Sequence, residues 1–143
     1  MQFNAPLSSQ RADQLVELLE LSPDDAVVEI GCGQGVLLQK VVRRWGCQAL
    51  GVDIDAAAIA AARQAAAAQG LAISFRCADA KLLPLKPVSL AICIGATQAY
   101  GQGERAWHNT LTVFSRLVRP GGQILVADGF WAREPAPEYL DFL

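Results

Sequence analysis

The chain has 143 residues, 52% of them apolar, which suffices for one domain with a proper core and leaves no room for a second. A formal net charge of −2, with the basic residues spread along the chain instead of massed on one segment, disfavours nucleic acid as the substrate. The N-terminus lacks a basic-then-apolar leader and the longest apolar stretch, Ala56 to Ala62, is too short to span a bilayer, so the sequence predicts a cytoplasmic protein with no membrane contact.

In chain order, a first helix is expected where Ala12, Leu15, Val16 and Leu19 share one face, with Ser8 or Ser9 as N-cap and Ser22-Pro23-Asp24-Asp25 as the exit turn. The β-branched run Val27 to Ile30 suits a buried parallel strand, and Gly31, Gly33 and Gly35 let the chain turn sharply after it. Leu38, Val41, Val42 and Trp45 then recur at helical spacing, with Gly46 as C-cap. A second strand, Ala49 to Val52, delivers Asp53 to its carboxyl end. Asp55 caps an alanine-rich helix that runs to Gln69 and stops at Gly70; the alanines are read as strong helix formers that pack closely on a sheet. Ile73 to Arg76 reads as a third strand, the proline-containing stretch Leu82 to Pro87 as a loop, and Val88 to Ile94 as a fourth strand. A last helix carries Trp107, Leu111, Phe114 and Val118 as its apolar face. The turn Arg119-Pro120-Gly121-Gly122 precedes the final strand, Ile124 to Asp128.

Strands alternating with helices imply an α/β fold with a parallel sheet. A glycine loop that opens onto a helix N-terminus favours anionic or polar ligand groups, and an acid about 20 residues past the glycines can accept hydrogen bonds from both ribose hydroxyls of an adenosine ligand. Dinucleotide folds want G-x-G-x-x-G, whereas here the glycines stand at 31, 33 and 35 and position 36 is Val. That spacing, together with the absence of a recognisable catalytic dyad, weakens a nicotinamide-dependent oxidoreductase.

Glu29-Ile30-Gly31-Cys32-Gly33-Gln34-Gly35 resembles the first motif of the class I S-adenosylmethionine-dependent methyltransferases, whose loop holds the methionine end of the cofactor. Further segments resemble that family in the same order: Asp53 after strand two, Cys77-Ala78-Asp79-Ala80 after strand three, Gly95 to Gly101 after strand four, and Arg119 to Gly122 before strand five. The resemblance implies a Rossmann-like sheet of order 3-2-1-4-5 and S-adenosyl-L-methionine as cofactor. It implies cofactor contacts at Glu29, Gly31, Cys32, Gly33, Gly35, Asp53, Ile54, Asp79, Ala80 and Gly95. Asp79 would accept from the adenine amine, since a carboxylate accepts where an amine donates. The expected reaction is methyl transfer to a small-molecule acceptor. The alternative is a non-catalytic cofactor-binding or interaction module derived from such an enzyme.

The sequence departs from the family at Ser89, where relatives often carry an acid, and at Gln98, where a bulkier aromatic or histidine is often seen. Family members also continue into strands six and seven, whereas only residues 129–143 follow Asp128 here. An uncovered strand-five edge is a liability, so a second copy of the chain or a partner chain is expected to cover it; a tail folded back over it, or a truncated sequence, are the alternatives. Methyl transfer requires alignment and exclusion of water before it requires a base. Where the acceptor must lose a proton, Asp128, Tyr100 and His108 are the candidates. Cys32, Cys47, Cys77 and Cys93 show no C-x-x-C spacing and are read as reduced core thiols, so no metal site is expected.

Overall fold

The computed structural model describes residues 7–129. Five parallel strands, β1 (Ala26–Ile30), β2 (Gln48–Asp53), β3 (Ile73–Cys77), β4 (Val88–Ile94) and β5 (Val118–Ala127), form one sheet in the order β3-β2-β1-β4-β5, as the resemblance implied. β1 is central, Val28 sitting opposite Leu50 on one side and Ala91 on the other. Alternation of side chains along the strands divides the core between the two faces. Val27, Leu90 and Ile92 join one layer with α1 (Ser9–Glu17), α2 (Val36–Trp45) and α3 (Ala56–Ala68). Val28, Ile30, Ala91 and Cys93 join the other with Phe114 and Leu117 of α4 (Glu104–Leu117). Each fully buried Leu, Ile or Phe contributes roughly 1.5–3 kcal/mol of transfer free energy, and both faces are filled by such residues.

Most local expectations hold. Ser8 caps α1 through the Arg11 amide, and Asp55 caps α3 through the amides of Ala57 and Ala58. Gly46 ends α2 in the left-handed conformation. Trp45 locks α1 to α2 by donating its indole N–H to the Val16 carbonyl at 3.1 Å, and Lys40 pairs with Asp13 at 2.6 Å across the same seam.

Three expectations need correction. The apolar face of α4 is turned from the expected one: Ala106, Thr110, Phe114 and Leu117 are buried, Trp107 is 37% exposed, and Val118 already belongs to β5. Thr110 can occupy the core because its hydroxyl donates to the Ala106 carbonyl at 2.8 Å, which removes the cost of burying it. The Arg119–Gly122 turn lies inside β5, not before it. There β4 advances from Val88 to Leu90 while β5 advances from Val118 to Gln123, an irregularity that the glycines accommodate; a Cβ on Gly122 would lie 2.6 Å from the Ser89 carbonyl oxygen. Finally, Cys77 is exposed, whereas Cys32, Cys47 and Cys93 are buried as expected. Residues 130–143, on which a tail folded back over the edge would fall, lie outside the described residues; among those described, β5 pairs only with β4.

Candidate functional site

At the carboxyl ends of β1, β2 and β4 lies a cavity of about 400 Å³. Its floor is the turn after β1. The amides of Gly31 and Cys32 both donate to the Val52 carbonyl, at 2.8 and 3.1 Å, which binds this turn to the end of β2. Gly31 has φ +70°, and a Cβ there would fall 2.1 Å from the Cβ of Ala96, so the loops after β1 and β4 meet where only glycine fits. Among the described residues, nothing lies within 4 Å of where a Gly33 Cβ would be, and Gly33 lines the cavity. Gly35 does a different job. It does not line the cavity, and a Cβ on it would strike the Phe75 ring at 2.7 Å, so it sets how closely α2 approaches β3.

α2 begins beside the cavity with no side-chain cap, and Val36 and Leu37 of its first turn line the space. Its first turn presents the positive end of the helix there. Asp53, at the end of β2, is fixed at both oxygens: Oδ2 accepts from the Gly33 amide at 2.7 Å and Oδ1 from the Asp55 amide at 2.9 Å. Asp79 opens a 3₁₀ turn, Ala80–Leu82, by accepting from the Lys81 amide at 2.9 Å. Ile54 stands 77% exposed at the rim, an apolar plate for a flat ring. Glu29 is 5% exposed and its Oε2 has no hydrogen-bond partner among the described residues. Burial pushes its carboxyl up to about 8, with the Leu38 amide pulling the other way and the charge of Asp53 adding to the rise.

Residues 27–122 match the methyltransferase-domain family. The chain belongs to that family. Among curated relatives, the methyltransferase GfsG of Streptomyces halstedii is 27% identical over 126 residues, which cover 87% of this chain and 45% of that protein. Two crystal structures of SAM-dependent methyltransferases, from Geobacter sulfurreducens and Thiobacillus denitrificans, are each 26% identical, with TM-scores of 0.85 and 0.83. Both are complexes with S-adenosyl-L-homocysteine, and the likeness covers 99% of this chain against 57% and 56% of theirs. The chain spans about half the length of the curated relatives it matches.

S-adenosyl-L-methionine is the cofactor of these methyltransferases, and the residues present here fit it. The bare Gly33 backbone leaves room for a ligand chain, the unpartnered Glu29 oxygen awaits a donor, and Asp53 and Asp79 supply acceptors farther along the same cavity. Glu29, Gly31, Cys32, Gly33, Asp53, Ile54, Asp79, Ala80 and Gly95 all line it, so the expected cofactor residues meet in one place apart from Gly35. Cys32 is buried, and burial holds its thiol far above the usual range, which suppresses the thiolate.

None of the three proposed bases lines this cavity. Asp128 accepts from the Thr97 hydroxyl, from the Thr97 amide at 3.3 Å and from the Gly129 amide at 2.8 Å, and so staples the loop after β4 to the end of β5. Tyr100 is buried edge-on against Phe114, with ring centroids 6.1 Å apart. His108 is exposed on α4. Sequence reasoning overlooked Gln39. It is buried on α2 and donates to the Gln34 carbonyl at 3.1 Å, while its own oxygen accepts from Gln69 of the α3 C-cap at 2.6 Å. The available signal was a lone amide on an otherwise apolar helical face. Among the described residues, no group of His, Cys, Asp and Glu side chains could hold a metal ion.

Proposed function

We propose that this chain carries the cofactor pocket of a methyltransferase that acts on a small-molecule acceptor. The observation that carries the reading is the convergence of Glu29, Asp53 and Asp79 on one cavity whose floor is bare glycine backbone. When bound, the cofactor supplies a methyl group already activated on a sulfonium. The work left to the protein is to bind, orient and exclude water.

Asp53, held by two amides, accepts from the ribose hydroxyls. Asp79 accepts from the adenine amine and the Ala80 amide donates to the ring, while Ile54 covers its face. Glu29 and the Gly31–Gly33 backbone hold the methionine end. The loop after β4, with Gly95 and Gln98 on the cavity wall, borders the acceptor position. A small acceptor fits the lack of any massed basic segment, and a cytoplasmic home fits four unpaired cysteines.

Calorimetric titration with S-adenosyl-L-methionine, S-adenosyl-L-homocysteine and NADH tests the pocket. Micromolar binding of the two sulfur ligands and none of NADH is expected. Asp53→Ala should weaken that binding by about 10- to 100-fold, the worth of hydrogen bonds to a charged acceptor. Tight NADH binding would overturn the reading. The second reading, a module that binds cofactor without turnover, draws on the observation that none of Asp128, Tyr100 and His108 lines the cavity. Formation of S-adenosyl-L-homocysteine that depends on an added acceptor separates the two.

A further inference from the structure

The cavity wall that carries Gly95, Ala96, Gln98 and Ala99 is fastened at both ends by side chains that do not themselves line it. β4 and β5 stay paired to their carboxyl ends, where Ile94 lies opposite Ala127 and the Gly95 amide donates to the Ala127 carbonyl at 2.8 Å. The ladder ends there, and Asp128 continues the attachment with its side chain. Its Oδ2 accepts from both the hydroxyl and the amide of Thr97, the residue that opens the 3₁₀ turn Thr97–Tyr100. At the far end of that turn, Asn109 of α4 donates its side-chain amide to the Tyr100 carbonyl at 2.9 Å. A Cβ on Gly101 would stand 3.0 Å from the same nitrogen, so the chain passes close to α4 there. Between the two fastenings, the Cβ of Ala96 lies 2.1 Å from where a Gly31 Cβ would be. The wall therefore cannot approach the glycine turn, and the bonds from Thr97 to Asp128 hold it where it is.

Resting on the cofactor reading above, we propose that Asp128 is a positioning residue for methyl transfer. Through Thr97 it fixes residues 95–101 as the wall beside the transferable methyl group, and it acts as a hydrogen-bond acceptor, not as a base. A wall free to shift is competent for only part of the time, and apparent ligand affinity falls by that fraction. Thr97 needs an acceptor at this place, and a side-chain amide oxygen accepts as a carboxylate oxygen does, whereas a general base must itself take up a proton. The two roles part at one substitution. Asp128→Asn keeps an acceptor for Thr97, removes the base, and gives up only the exposed contact with the Gly129 amide.

S-adenosyl-L-methionine isotopically labelled at its methyl carbon, titrated into wild type, Asp128→Ala, Asp128→Asn and Thr97→Val, tests the assignment. Affinity is read by calorimetry and the bound methyl group by its carbon NMR signal. Asp128→Ala should bind about tenfold more weakly, the worth of a hydrogen bond to a charged acceptor, and should move or broaden the bound methyl signal. Thr97→Val, which loses only the hydroxyl bond, should bind about threefold more weakly and disturb the same signal. Asp128→Asn should keep the wild-type signal, with affinity within about twofold of wild type. An Asn variant that behaves like Asp128→Ala assigns the effect to charge and overturns the positioning role. A wild-type methyl signal in all three variants overturns it as well, since loss of stability alone leaves that signal in place. Either result leaves the cofactor reading standing, whereas failure of the wild-type chain to bind overturns both. Thr97→Val against Asp128→Asn decides the matter even if Asp128→Ala does not fold.

Discussion

Asp25, just before β1, takes the Ser22 amide at 2.7 Å and its hydroxyl at 2.9 Å, and pairs with Arg119 of β5. The Ser89 hydroxyl foremost, then these Ser22 groups and the Arg119 guanidinium, lower its carboxyl to about 2. A carboxyl whose folded value lies below its unfolded one stabilises the fold above the unfolded value and loses that contribution as pH falls through the folded one. Thermal melts should therefore show the melting temperature dropping between about pH 4 and pH 2, with a smaller drop in Asp25→Asn. A slope unchanged in that variant would remove Asp25 from the account. Ser89 acquires a role here that its sequence position did not suggest. It is a departure from the family pattern near the foot of the sheet, and it also takes the Ala26 amide at 3.3 Å. The residue types at Glu29, Asp53 and Asp79 were legible in sequence because spacing alone places them at strand ends. Which of their oxygens lacks a partner among the described residues was not, since that depends on amides contributed from other segments.

Element packing explains why two features that looked compositional are steric. The alanine-rich α3 lies close to the sheet, with Ala62 fully buried and 3.4 Å from where a Gly35 Cβ would be, so small residues on both sides let α2 and α3 meet over Phe75. Gln39 then ties the two helices to the glycine turn: Gln69, itself held by Arg43, donates to Gln39, which donates to Gln34. Gln39→Leu should leave the Gln34 carbonyl and the Gln69 amide short of partners, at a cost of about 1–3 kcal/mol. The expected outcome is a lower melting temperature together with several-fold weaker cofactor binding, measured by scanning calorimetry and titration. A loss of stability with unchanged affinity would make Gln39 a packing residue only. α4 shows the limit of pattern reading. Trp107 and Leu111 outrank Thr110 in hydrophobicity, yet Thr110 is the buried one, its hydroxyl satisfied by the Ala106 carbonyl of its own helix.

For the whole molecule, β5 carries the unsolved problem of the sheet. Its outer edge has no strand partner among the described residues, and Ile124 is 40% exposed. An open strand edge invites pairing, and we propose that a second copy of the chain covers it. Light scattering over a dilution series should show a dimer that dissociates at low concentration; a stable monomer throughout would end that proposal. The sequence by itself determined the strand and helix order, the glycine turn and the acids at strand ends, because these follow from local propensity and from spacing along one chain. The sheet order came from resemblance, since periodicity says that a strand is buried but not beside which neighbour. Tertiary structure alone decided that Gly35 packs on Phe75 instead of facing the cavity, that Asp128 is spent on Thr97, that β5 takes up the Gly121-Gly122 irregularity, and that Oε2 of Glu29 has no partner among the described residues. Each of these depends on groups far apart in the chain that only the folded sheet brings within a few ångströms.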